Sequence, residues 1–270
     1  MENIDILDKS NKKQFLKYFD KTFFKGILAI LIYYFIFNNF SSIVSIILGN
    51  YFKNISSDSP SYYYLNALHN FIVYSILLIA LLLIYHKTFK NDYTRIKNSE
   101  ATFSTIIYLI LIMLAVNVFS NLIYQAIIKN VSFKQSENQT AINAITSYPI
   151  GYLIFAPITV FVAPIVEELI FRKSFFNVFK NKYVALIISV IVFGTMHVTT
   201  TYPLLRETYN QVQSFFYMLA FGIPYYASGL MFGIAYIKSD KNIIIPIAMH
   251  MANNYLATIM STIIFYSIIF

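Results

Sequence analysis

Glu167 and Glu168 stand side by side in the apolar stretch 161–172 (FVAPIVEELIFR). Of the chain's twelve acidic residues, they alone fall inside a segment long and apolar enough to cross a membrane. An ionisable side chain at bilayer depth costs on the order of 2.5–3.5 kcal/mol, so its presence there marks a site. Four further polar side chains interrupt apolar segments: Arg172, His197, His250 and Asn254. A carboxylate beside an imidazole can take a proton from water. A second imidazole and a carboxamide can donate to the tetrahedral oxyanion that attack on an amide produces. The set therefore supports hydrolysis of a peptide bond, with Glu167 as general base, His197 helping it hold the water, and His250 with Asn254 as oxyanion donors. Glu168 and Arg172 are spaced i, i+4, so they can pair on one helix face and leave Glu167 on another azimuth. Two histidines and a glutamate are also a catalytic zinc set with an open fourth position. Asn254, the i+4 mate of His250, is a poor zinc ligand. At this stage a divalent metal such as zinc and a metal-free site both stay open.

Other routes to peptide cleavage within a membrane lack their residues. There is no HExxH, no aspartate inside an apolar segment and no glycine-flanked GxSxG serine. The chain has no cysteine, which removes a thiol nucleophile, disulfides and iron–sulfur clusters.

The elements that must carry these residues are membrane helices. Hydrophobic residues make up 58% of the 270 and charged residues only 12%, about half the charged share of a soluble domain. Seven apolar segments are each long enough to span: 26–51, 65–85, 103–128, 150–179, 183–197, 215–237 and 243–270. The first is a candidate for a break at 38–42. Gly222 and Pro224 would allow 220–226 to be two pieces, which makes the expected fold an all-α polytopic bundle of about seven or eight helices with an intramembrane site. Pro157 and Pro164 are expected to kink the fourth helix. The organisation read from this is an N-terminal segment with the first three spans (1–146), followed by a membrane core (147–270) that holds the six polar residues. The Lys-rich start and the long apolar run after it do not look like a cleavable signal.

With the N-terminus in the cytoplasm, sixteen of the twenty Lys and Arg lie in inner segments and four outside, and that split fixes the expected orientation. The net charge of +8 is thereby read as topology and affinity for anionic lipid, not as nucleic-acid binding.

Asn181 marks the turn of a helical hairpin. Glu167 lies fourteen residues before it and His197 sixteen after it, which sets both about 21–24 Å along their helices at matching depth. The match requires the fourth helix to continue through Arg172 and Lys173 to about Phe179, whereas a stop at Ile170 would break it. His250 and Asn254 share one face of the last helix. Asn253 points about 100° away from Asn254 and is read as packing or a helix–helix hydrogen bond. Gly194, Gly229 and Gly233 are read as close-packing positions, and His69 and His86 as boundary residues.

Three motifs then line up in order: Glu167-Glu168-x-x-x-Arg172, Phe193-x-x-x-His197 and His250-x-x-x-Asn254. At these spacings, with GLMFGIAY at 229–236 just before the third, residues 160–255 resemble the CAAX-protease and bacteriocin-processing (abortive-infection-like) family of intramembrane proteases. The resemblance implies an integral-membrane endopeptidase with Glu167, His197, His250 and Asn254 at its core, and Glu168 and Arg172 in support. The family carries a metalloprotease label. Bacterial relatives are associated with processing of membrane-bound peptides, bacteriocin immunity and peptide signalling. The residue usage, rich in Ile, Asn and Lys, suggests an AT-rich bacterial genome. The expected setting is therefore a multi-pass protein of a bacterial plasma membrane acting on a membrane-associated peptide or protein. Two rival readings are a non-proteolytic immunity or scaffold protein and an ion-coupled transporter using the Glu/His/Arg set as a relay. No repeated half of the kind that builds transport sites is present.

Overall fold

The computed structural model describes residues 19–51, 55–56, 59–97 and 102–269. Most of the Lys-rich segment 1–25, together with Lys53, lies outside the described residues, as does Phe270 at the end of the seventh expected span. The described chain is an all-α bundle. Helix α1 (Lys21–Phe35) runs through a π-helical turn (Ile36–Phe40) into α2 (Ser41–Tyr51), and α3 (Pro60–Lys97) and α4 (Thr102–Ile128) follow. A short α5 (Glu137–Thr146) precedes the composite fourth span, which comprises α6 (Pro149–Pro157), a π-turn (Ile158–Val162), α7 (Ala163–Glu168), a second π-turn (Leu169–Ser174) and α8 (Phe175–Val178). The remainder is α9 (Lys182–Met196), α10 (Thr201–Arg206), α11 (Gln211–Lys238) and α12 (Ile244–Ile269).

Among the described residues each of the seven apolar segments is helical over most of its length, and five helical stretches are long and apolar enough to cross a membrane. Burial separates the centre of the bundle from its rim. In the most apolar windows of 149–178 and 211–238, 61% and 56% of residues are buried, against 17–22% in the three N-terminal spans. The inner helices pack a core that includes Leu77, Leu81, Val166, Leu169, Phe171, Phe193, Phe232 and Met249, drawn from both 1–146 and 147–270. The exposed Leu83, Leu122, Leu153 and Phe119 on the rim are the apolar surface a bilayer would cover.

The structure corrects some details of the sequence reading. α11 passes through Pro224 as one helix, so 220–226 does not divide into two spans. α3 extends well past the apolar window 65–85, because hydropathy marks the lipid-facing part of a helix and not its full length. The fourth span does continue past Ile170, through Arg172 and Lys173 to Val178. Asn181 then caps α9 by accepting from the Tyr183 and Val184 backbone N–H groups at 2.9 and 3.3 Å, which closes the hairpin where the polar residue sits.

The last helix is set in height by a cap from another element. Asp92 on α3 accepts the Ile243 N–H at 2.9 Å with its carboxylate, and its carbonyl accepts from Asn242 Nδ2 at 3.0 Å. This buried aspartate satisfies donors at the start of α12, two turns below His250.

α5 is seated by Gly151. A Cβ at that position would lie 2.2 Å from the Ile145 carbonyl oxygen, a backbone atom that cannot swing aside. Gly151→Ala should therefore lift the end of α5 and cost about 1–3 kcal/mol as overpacking does. Unfolding measurements should show the loss, and amide exchange over 137–146 should rise. Unchanged exchange there would separate α5 from this contact.

Candidate active site

Two departures from α-helical register bracket the pair of glutamates, and their cause is local. In the first π-turn the Ala163 N–H bonds to Ile158 O, five residues back, so it does not serve Thr159. In that register the partner of the Thr159 carbonyl would be residue 164, but Pro164 has no N–H. The orphaned carbonyl is satisfied from another helix, by Asn254 Nδ2 at 2.9 Å. The proline that was expected to kink the span thus creates an acceptor for a site residue. The second π-turn begins immediately after Glu168, and Ser174 Oγ returns a bond to Leu169 O at 2.8 Å. π-turns of this kind concentrate at functional sites because they re-aim side chains within a continuous helix.

Glu167, His197, His250 and Asn254 line one cavity of about 300 Å³. Glu168 and Arg172 lie behind it, both with side chains of 0% exposure, and Arg172 Nε sits 3.1 Å from Glu168 Oε2. At that distance the charges attract strongly, but the N–H vector is not aimed at the oxygen, and Arg172 Nη1 also has no acceptor. The guanidinium is held by other contacts. Nη2 donates to Gly229 O at 2.9 Å, and the ring faces of Phe193 and Phe232 lie 5.0 and 5.5 Å from its central carbon. Gly229 leaves room for this approach, since a Cβ there would already press on Phe193 at 3.0 Å.

Glu168 also reaches the catalytic set directly. Its Oε1 accepts from His250 Nδ1 at 2.9 Å, a contact that sequence spacing did not indicate. A carboxylate paired with arginine can only accept, so Nδ1 carries the proton and Nε2 is directed to Glu167, 3.7 Å away. The His250 ring stacks on Phe232 with centroids 4.5 Å apart. His197 caps the end of α9, and its Nδ1 donates to Phe193 O at 2.7 Å, which leaves Nε2 without a hydrogen bond among the described residues. Its ring stacks on Tyr225 at 4.6 Å. Among the described residues no ion pair joins His197 to Glu167, so any link between them runs through something in the cavity. Tyr74 on α3 is close enough for its hydroxyl to interact with Glu167.

Asn254 is oriented by a chain of bonds. Its Oδ1 accepts from Asn253 Nδ2 at 3.3 Å, Asn253 Oδ1 accepts from Asn117 Nδ2 on α4, and Asn117 Oδ1 accepts from Ser228 Oγ on α11 at 2.9 Å. Of the two roles read for Asn253, packing or a helix–helix hydrogen bond, the second is the one formed. Asn117 and Ser228 were missed, because single polar residues on membrane helices carry no spacing signal. Asn117→Leu should cost about 1 kcal/mol of bundle stability, in the range of interhelical hydrogen bonds in membranes. It should also free the Asn254 carboxamide to turn. An unfolding titration in mixed micelles reads the first effect, and the rate of substrate cleavage reads the second.

The donors do not assemble a metal-binding triad. Among the described residues no three His, Cys, Asp or Glu side chains are placed to hold one ion. His250 Nδ1 is already engaged by Glu168. The other two histidines lie outside the cavity. His69 Nε2 bonds to Ser41 Oγ at 3.0 Å, and His86 Nδ1 to Leu83 O at 3.0 Å.

Residues 149–256 match the family described as type II CAAX prenyl endopeptidase Rce1-like. An uncharacterized protein of Mycoplasma capricolum subsp. capricolum is 25% identical over 186 residues, which cover 65% of this chain and 50% of that protein. UPF0177 protein YajF of Lactococcus lactis subsp. lactis is 30% identical over 131 residues, covering 47% of this chain and 62% of its own length. UPF0177 protein YbdI of the same organism is 33% identical over 66 residues, or 24% and 36%. The chain thus spans about half the length of the curated relatives it matches. No solved structure matches it.

Proposed function

We propose that this multi-pass membrane protein, whose segment 149–256 matches the Rce1-like type II CAAX prenyl endopeptidase family, hydrolyses a peptide bond of a membrane-associated peptide or protein. The observation that carries the proposal is the cavity in which the nearly buried carboxylate of Glu167, 3.7 Å from His250 Nε2, faces two imidazoles with one ring nitrogen each left for chemistry. Water bound between Glu167 and His197 Nε2 gives a proton to the Glu167 carboxylate as its oxygen bonds to the substrate carbonyl carbon. The carbonyl oxygen becomes the oxyanion. It accepts from His250, which must then carry a proton on Nε2, and from the Asn254 N–H that Thr159 does not use. Glu167 returns its proton to the departing amine, the C–N bond breaks, and a carboxylic acid and an amine are left.

Glu168 acts through His250 and not on substrate. Its bond to Nδ1 fixes the ring and its tautomer, and Arg172 balances the charge that this requires. The orientation is N-terminus in the cytoplasm, from the sixteen-to-four split of basic residues. The bacterial relatives favour a bacterial plasma membrane. The test is peptide profiling of membranes from cells that make the wild-type protein or Glu167→Gln. A membrane peptide processed only by wild type supports the reading and names the substrate. Identical profiles, with the variant still supplying the physiological phenotype, would replace it with a binding or immunity role.

A further inference from the structure

The groups assigned to chemistry all come from 149–256, but the cavity has a second wall that does not. Phe37, Asn70 and Tyr74 from the first spans, and Asn138, Gln139, Ile142 and Thr146 from α5, complete the lining. α5 is fixed over the cavity by its N-terminus. Its cap residue Ser136 meets Tyr225 Oη at 3.3 Å, and the Glu137 N–H donates to Thr201 Oγ1 at 3.0 Å. Tyr225 is the ring stacked on His197, so this wall is tied to the catalytic side.

The polar residues of the wall keep hydrogen-bonding capacity that the described residues do not use. Asn70 gives Nδ2 to Asn66 O at 2.8 Å and Gln139 gives Nε2 to Asn143 Oδ1 at 2.9 Å, and among the described residues neither carbonyl oxygen has a donor. Asn138 is half-buried, and its carboxamide makes no hydrogen bond among the described residues. Two free acceptors and one whole carboxamide match the alternating N–H and C=O groups of an extended peptide. Burying such groups without partners would be costly. The volume of about 300 Å³ lies at the small end of ligand sites and leaves no room for a helix, whose diameter with side chains is about 10–12 Å. None of these wall residues is charged, so an ionised side chain lying against this wall would lose water and gain no partner on it.

We infer that this wall is a substrate-binding surface that holds an unwound, uncharged segment of a membrane peptide by its main chain, with Asn138 as the contact that reads the segment. The inference rests on the endopeptidase reading above and names the substrate class of the same site.

The test uses the full-length protein in phospholipid vesicles with a pooled library of synthetic peptides. Each peptide has one apolar anchor and a short flank that is uncharged, acidic or basic, and products are read by mass spectrometry. Wild type should cleave the uncharged flanks. Asn138→Lys should shift preference toward acidic flanks by about tenfold, as a new charge-assisted contact would. Asn138→Leu should raise KM more than it lowers kcat. Because Asn138 has no internal partner to lose, both variants should fold, and their melting profiles check this. Cleavage that depends on Glu167 but keeps the same flank preference in both Asn138 variants overturns the inference alone. No Glu167-dependent product from any flank overturns the endopeptidase reading and this inference together.

Discussion

Glu167→Gln is expected to lower peptide cleavage by about 10²–10⁴-fold, the usual worth of a positioned general base, while the protein still inserts and accumulates. Gln has the shape of Glu and keeps an acceptor oxygen, so the cavity and the neighbouring Tyr74 lose little. What disappears is the group that takes the proton from water. Stability should hold or rise, because Glu167 is 7% exposed and the one ion-pair partner within 4 Å among the described residues is His250 Nε2 at 3.7 Å. The measurement is initial rate against unfolding midpoint for the same two preparations. A variant that keeps the rate would remove Glu167 from the mechanism. One that loses both rate and fold would assign it a structural part instead.

The contrast with Glu168 shows what the sequence could and could not indicate. Adjacent glutamates in an apolar run were conspicuous, and helical spacing separated them correctly, one toward Arg172 and one away. The bond from Glu168 to His250 was not legible, because it joins residues 82 positions apart and depends on the azimuth of two helices. The hairpin about Asn181 was readable from an N-cap residue and two equal lengths of helix. The π-turns were not, because proline signals a lost hydrogen bond without saying how the helix will absorb it. α5 and α10 also went unread. Each is short and α5 is mostly polar, so neither raises a hydropathy signal, yet α5 supplies half of the wall opposite the catalytic groups. Residues that act through charge in an apolar setting stand out in sequence. Neutral residues that act through position, such as Asn117, Asn138 and Ser228, emerge only when helices are packed.

The second large effect should come from Arg172, which never touches the cavity. Arg172→Leu leaves Glu168 at 0% exposure with no cation, and removing one partner of a buried pair costs about 3–5 kcal/mol. The loss should exceed that of Glu168→Gln, although both break the same pair. Gln leaves Arg172 its bond to Gly229 O and its two aromatic faces, whereas Leu leaves a buried carboxylate whose remaining partner is His250. The rate should fall with Arg172→Leu even under conditions where the variant is folded. Without the arginine, the proton on His250 Nδ1 is shared with an unbalanced carboxylate, and the ring is no longer held for the oxyanion. The double variant Glu168→Gln/Arg172→Leu separates charge from packing. If the unpaired charge dominates, the double variant should be more stable than Arg172→Leu alone, by an unfolding titration in the same micelles. If the guanidinium matters mainly by filling space between Phe193 and Phe232, the two should be equally unstable. In that case the arginine would act as a strut and not as the counter-charge that lets Glu168 orient His250.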